Sequence, residues 1–119
     1  MGVPTRRIKR APVHTKTTGT ATAVATLTPA AAFKMLEIRF HLGSALAAAE
    51  KLTATQNATG TVYDTVLLSE DMGTLGTLDL VKTFDKDEGF FESTDSIVIA
   101  LSANTGGDIW GCQTIHELV

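Results

Sequence analysis

An all-β fold, two antiparallel sheets packed as a sandwich, is what this 119-residue sequence predicts. Three observations predict it. Short runs rich in Thr, Val, Ile and Leu recur along the chain, and clusters of Gly, Asn and Asp punctuate them. No long stretch shows the 3.6-residue apolar period of an amphipathic helix. Roughly seven short strands without helices to alternate with them bury their apolar faces most simply against one another.

Residues 1–18 read as an extended N-terminal arm, because Pro4 and Pro12 impose extended or turn conformations and no periodicity is present. The sandwich domain then spans 19–119. Thr20, Thr22 and Thr26 interleave with Ala21, Ala23, Val24, Ala25 and Leu27, a β-prone run that Pro29 ends. Leu36, Ile38, Phe40 and Leu42 follow on one face of a strand, with Glu37, Arg39 and His41 on the other. Ala45 to Lys51 has helix propensity, but about seven residues make a marginal helix, and a loop or turn fits equally well.

Leu52–Gln56 and Val62–Leu68 flank Asn57-Ala58-Thr59-Gly60, whose Asn and Gly suit a turn, so the pair predicts a hairpin. Leu78–Phe84 is a further strand, followed by the solvated acids Asp85, Asp87 and Glu88. Ile97, Ile99 and Leu101 alternate with Val98, Ala100 and Ser102. Asn104–Asp108 turns the chain into a last strand over Ile109–Leu118. A body of roughly 100 residues has room for one modest core. The predicted core is Leu36, Ile38, Phe40, Tyr63, Leu67, Ile97, Ile99, Leu101 and Ile115.

Charge is sorted by position. Arg6, Arg7, Lys9, Arg10 and Lys16 give the first 18 residues five positive charges and no negative one. The other residues hold the remaining five cations and all thirteen acids, so the net of −3 divides into +5 on the arm and −8 on the body. Against nucleic acid such an arm would bind without sequence preference and with strong salt dependence, but the acidic body repels the phosphates that the arm attracts. Against protein it would cross an acidic neighbour and order on contact. The five cations are therefore the predicted interface, with protein as the partner rather than nucleic acid.

Apolar runs fall short of the roughly 20 residues of a membrane span, and the basic start leads into Pro12, His14 and threonines where a secretory signal needs an apolar core. A soluble product made inside a cell is the expectation. The single Cys112 cannot form an internal disulfide and reads as a small core residue. Trp110 reads as core or as a subunit contact.

Asp85, Asp87, Glu88, Glu92 and Asp95 invite a calcium reading, yet Phe90 stands where an EF-hand loop needs glycine, and a solvated acidic loop fits better. His14, His41 and His116 lack zinc spacing. No nucleophile elbow, Walker loop or dinucleotide glycine motif occurs. The sequence predicts neither an enzyme nor a metal or other cofactor.

Leu36-Glu37-Ile38-Arg39-Phe40-His41-Leu42, Leu52-Thr53-Ala54-Thr55, the run from Tyr63 to Met72, Asp95-Ser96-Ile97-Val98-Ile99-Ala100, Asn104 and Trp110-Gly111 form an ordered series. In that order of strands, from Phe33 onward, the chain resembles small structural proteins of tailed bacteriophages. The resemblance implies a jelly-roll-like sandwich and a virion component made in the host cytoplasm. The leading expectation is a homo-oligomeric capsid decoration or cement protein that binds the major capsid protein or other virion proteins. A tail, neck or baseplate part is the alternative. A carbohydrate- or receptor-binding sandwich would need clustered exposed aromatics, for which one Trp and one Tyr are thin material.

Overall fold

The computed structural model describes residues 11–58, 61–73, 78–85 and 89–119. Nine strands follow one another in these residues: β1 (Val13–Gly19), β2 (Ala23–Leu27), β3 (Phe33–Leu42), β4 (Lys51–Asn57), β5 (Thr65–Asp71), β6 (Asp79–Thr83), β7 (Phe90–Phe91), β8 (Ser96–Leu101) and β9 (Trp110–Leu118). One turn of 3₁₀ helix, Thr61–Tyr63, precedes β5. All pairings are antiparallel. The first sheet has the order β1-β9-β3-β6, with β7 beside the start of β3, and the second has the order β2-β8-β4-β5.

The two sheets bury their facing side chains against each other. Ile38, Phe40, Leu42, Trp110 and Cys112 from the first meet Leu52, Ala54, Ile97, Ile99 and Leu101 from the second in one apolar cluster. Strand β8 shows the alternation in pure form, with Ile97, Ile99 and Leu101 buried and Val98 and Ala100 half-buried. The predicted hairpin is present as β4–β5. Ala45–Lys51 forms no helix; the segment turns at Ala48 and Ala49 and enters β4 at Lys51.

Strand β3 follows the predicted alternation only in part. Ile38, Phe40 and Leu42 point inward and Arg39 and His41 outward, but Leu36 is half-buried while Phe33 and Met35 are fully buried. The pairing with β9 skips a residue between Met35 and Glu37. A bulge of this kind inserts one unpaired residue and reverses the facing of everything before it, because the side-chain period of a strand is two. The bulged backbone is held from outside the β9 ladder. Leu36 O accepts the Phe84 N–H at 3.1 Å, and Met35 N–H donates to Gly89 O at 2.7 Å.

Three further expectations need correction. Tyr63, assigned to the core, is 70% exposed because it sits on the 3₁₀ turn ahead of β5. Leu67 packs only partly buried against the cluster. The domain also begins earlier than Gly19, since Val13–Gly19 pairs residue for residue with β9 from His116 back to Trp110. The threonines of that segment have the β propensity that makes an edge strand, and the prolines that suggested an arm lie ahead of it.

One end of the sandwich gathers the start of β1, the end of β4, the start of β8 and the end of β9. Val13 pairs with His116, Phe33 with Leu118, Asn57 with Ser96 and Leu27 with Ile97, and residues 28–32 join the two sheets there. Phe33 and Phe91 stack at this end with ring centroids 5.2 Å apart.

Candidate functional site

Cross-strand register lays two complete rows of side chains over the outer face of the first sheet. Thr18, Gly111, His41 and Asp79 form one, and Lys16, Gln113, Arg39 and Val81 the next. They line a shallow concavity of about 630 Å³. Its floor is low because Gly111 contributes no side chain; a Cβ built there would meet nothing within 4 Å. Within the rows His41 Nδ1 bonds Asp79 Oδ1, and Arg39 donates to Glu37 at 2.9 Å. That hydrogen bond and the charge of Glu37 raise the Arg39 guanidinium further above its already high pKa. The face is a broad surface that carries both signs of charge.

A second cavity, of about 470 Å³, opens at the end of the sandwich where β1 starts. Gln56, Ala58, Tyr63, Phe90, Glu92, Thr94 and Asp95 line it. The end of β4 brings Gln56, the 3₁₀ turn brings Tyr63 and β7 brings Phe90. Asp64 fixes the approach to the turn by accepting the Ala58 N–H at 2.9 Å, and the Thr65 hydroxyl donates to Tyr63 O at 3.2 Å. Asp95 is nearly buried. Its Oδ2 accepts the Glu92 N–H at 2.9 Å and the Gln56 amide at 3.3 Å, while its own N–H donates to Glu92 O at 3.1 Å.

Tyr63 and Phe90 are 70% and 56% exposed, so two aromatic rings stand in solvent beside two carboxylates. Among the described residues no Lys or Arg lines the cavity; Lys34 pairs with Phe90 across β3–β7 without joining the lining.

The residues singled out in the sequence fall in different places. Arg6, Arg7, Lys9 and Arg10 lie outside the described residues. Lys16 is exposed on β1 and lines the outer-face concavity. Trp110 is only 2% exposed, its indole N–H donates to Ala21 O at 2.9 Å, and its ring stacks near Phe40 at 6.2 Å; it belongs to the core and is not available as a subunit contact. Cys112 is buried and its thiol is pushed up to about 11 by that burial, which keeps it unreactive.

Of the acidic run, Asp87 and Glu88 lie outside the described residues, Asp85 and Glu92 are exposed and Asp95 caps its own turn. Among the described residues no three His, Cys, Asp or Glu side chains converge on one point. That Tyr63 and Phe90 line one cavity escaped sequence reading because 27 positions separate the two rings. Tyr63 reads as core from the sequence; the one available sign against that is the Asn57–Gly60 turn just ahead of it.

No protein-family model matches the chain, and no curated protein matches its sequence.

Proposed function

We propose that the protein is a virion structural component, a capsid decoration or cement protein built on a jelly-roll-like sandwich. The observation that supports this most is the winding of the strands. With the two-residue β7 set aside, β1 pairs with β9, β2 with β8, β3 with β6 and β4 with β5. A long two-stranded ribbon rolled upon itself produces those pairs, and double-sheet jelly rolls of this kind recur in viral capsid and lectin domains.

The charge distribution supports the same reading. A body of net −8 does not seek phosphate, whereas an N-terminal segment bearing Arg6, Arg7, Lys9 and Arg10 seeks an acidic protein surface. The segment grips the major capsid protein or another virion neighbour, and the body packs beside its own copies. No step of this role calls for a catalytic residue, a metal or a cofactor.

Band quantitation on purified particles, with the full chain carrying Arg6→Glu, Arg7→Glu, Lys9→Glu and Arg10→Glu beside the unaltered protein, tests the reading. Shell-scale copy number that collapses in the reversed-charge variant supports it. A copy number of one ring's worth assigns the protein to tail, neck or baseplate instead, and absence from particles sinks the virion reading.

A further inference from the structure

We propose that the end cavity formed by Tyr63, Phe90, Glu92 and Asp95 receives the basic N-terminal segment, Arg6 to Arg10, of a second copy of this chain. The inference rests on the reading of that segment as an assembly element and makes an adjacent copy of this chain, in place of the major capsid protein, the virion neighbour that it grips.

The chemistry of the cavity selects a cation. Glu92 and Asp95 supply negative charge, and the hydrogen bonds from Glu92 N–H and Gln56 engage only Oδ2 of Asp95. An anionic ligand would be repelled there. A guanidinium suits it three ways: its planar face lies on an aromatic ring, its fork of N–H groups meets carboxylate oxygens, and it sheds water more readily than an ammonium. The chain itself offers three such groups within five residues, Arg6, Arg7 and Arg10.

Geometry is compatible with a second copy as the donor, and charge favours it. The segment leaves β1 at Val13, and Val13 lies at the same end of the sandwich as Gln56, Phe90 and Asp95. Because root and acceptor share one end, a twofold axis that brings two such ends together lets each segment enter the other's cavity, a self-complementary and closed arrangement. From Val13, extended backbone spans about 10 Å to Arg10 and about 23 Å to Arg6, enough to cross such an interface. The exchange also places cations between two acidic bodies that otherwise repel.

Sedimentation equilibrium of the full chain, at low and at physiological salt, reads the association directly. The unaltered protein dimerises. Tyr63→Ala with Phe90→Ala weakens the dimer at least tenfold without changing far-ultraviolet circular dichroism, since both side chains stand in solvent. Arg6→Glu with Arg7→Glu weakens it likewise, and mixing that variant with Glu92→Arg recovers part of the loss through the swapped charges.

A protein that stays monomeric, or a dimer indifferent to Tyr63 and Phe90, overturns the proposal. So does one-to-one binding of a synthetic peptide of residues 1–12 to a chain that never dimerises, which would make the occupant the chain's own segment. Displacement of Tyr63 resonances by neutral disaccharides but not by the peptide would make the cavity a glycan site and overturn it too. A monomer that still attaches to particles refutes this proposal alone; a dimer that attaches to none refutes the decoration reading alone.

Discussion

Glu50 holds Thr105 twice: Oε1 of the carboxylate accepts the Thr105 hydroxyl at 2.7 Å and the Thr105 N–H at 3.2 Å. The other oxygen takes the Ala47 N–H at 3.3 Å, so one nearly buried side chain ties the β3–β4 connection to the β8–β9 connection, 55 residues away. The Thr105 hydroxyl foremost, then the two N–H groups, hold this carboxyl below its ordinary range against the opposing effect of burial. A group whose folded pKa is depressed contributes stability that is present above its unfolded value and lost as pH falls through the folded one. Glu50→Gln is therefore expected to lower the melting temperature by several degrees at pH 7 and to flatten its decline between about pH 5 and pH 3. Identical acid limbs for the two proteins would show that the Glu50–Thr105 contact adds nothing.

His116 gives the same sign of pH dependence on the neighbouring range of pH, from a cause of another kind. It is buried with Nδ1 unpartnered, edge-on to Phe33 at 6.1 Å, and burial lowers its pKa. For a histidine the depressed value favours the neutral form. The unfolded chain takes up the proton first, near pH 6.5, and stability is lost as pH falls below that point toward the lowered folded value. His116→Leu removes both the orphan nitrogen and the titration. It is predicted to gain about 1 kcal/mol at pH 7 and more at pH 5.5, measured by urea unfolding at each pH. Equal stability differences at the two pH values would refute the titration argument.

Much of this architecture was legible in the residues, and what escaped did so for local reasons. The alternation of Ile97, Ile99 and Leu101, and of Ile38, Phe40 and Leu42, was readable because each run keeps a period of two without interruption. The bulge at Leu36 was not, since Phe33-Lys34-Met35-Leu36 offers apolar groups in either phase, and the choice is made by Gly89 and Phe84 far along the chain. Val13–Gly19 has the threonines of a strand but few apolar side chains, so the choice of β9 as its neighbour rests on backbone pairing that no apolar pattern announces. The end cavity likewise depends on which loops the sheets bring to one end, information held in the topology and not in any local motif.

Gly89 is the distant glycine that the bulge requires. A Cβ at this position would lie 2.6 Å from the carbonyl oxygen of Met35 and 3.1 Å from Cβ of Phe84. Backbone of an inner strand cannot withdraw, so Gly89→Ala must displace β3 or break the 2.7 Å hydrogen bond from Met35 N–H to Gly89 O. A loss of about 2 kcal/mol is expected from either route, seen as a lower urea midpoint. Gly107→Asn is the matched control, because φ is +62° there with nothing within 4 Å, and Asn tolerates that conformation. A Gly89→Ala protein as stable as the control would remove the close approach from the account of the bulge.

The boundary between arm and domain decides how a truncation behaves. Removing residues 1–12 takes away the two prolines and four cations but leaves all of β1. Removing 1–18 also strips the strand that covers one side of β9, together with the hydrogen bond from the Thr18 hydroxyl to Trp110 O at 2.8 Å. Strand β9 then becomes an edge, with its N–H and C=O groups open to pairing with another chain. At concentrations low enough to keep the chain monomeric, the shorter deletion is expected to keep the melting temperature of the full chain within about a degree, because every strand of the two sheets remains. The longer one is expected to lose many degrees and to aggregate on heating, followed by calorimetry and light scattering. If both truncations melted alike, β1 would not be part of the cooperative unit, and the domain would indeed begin at Gly19.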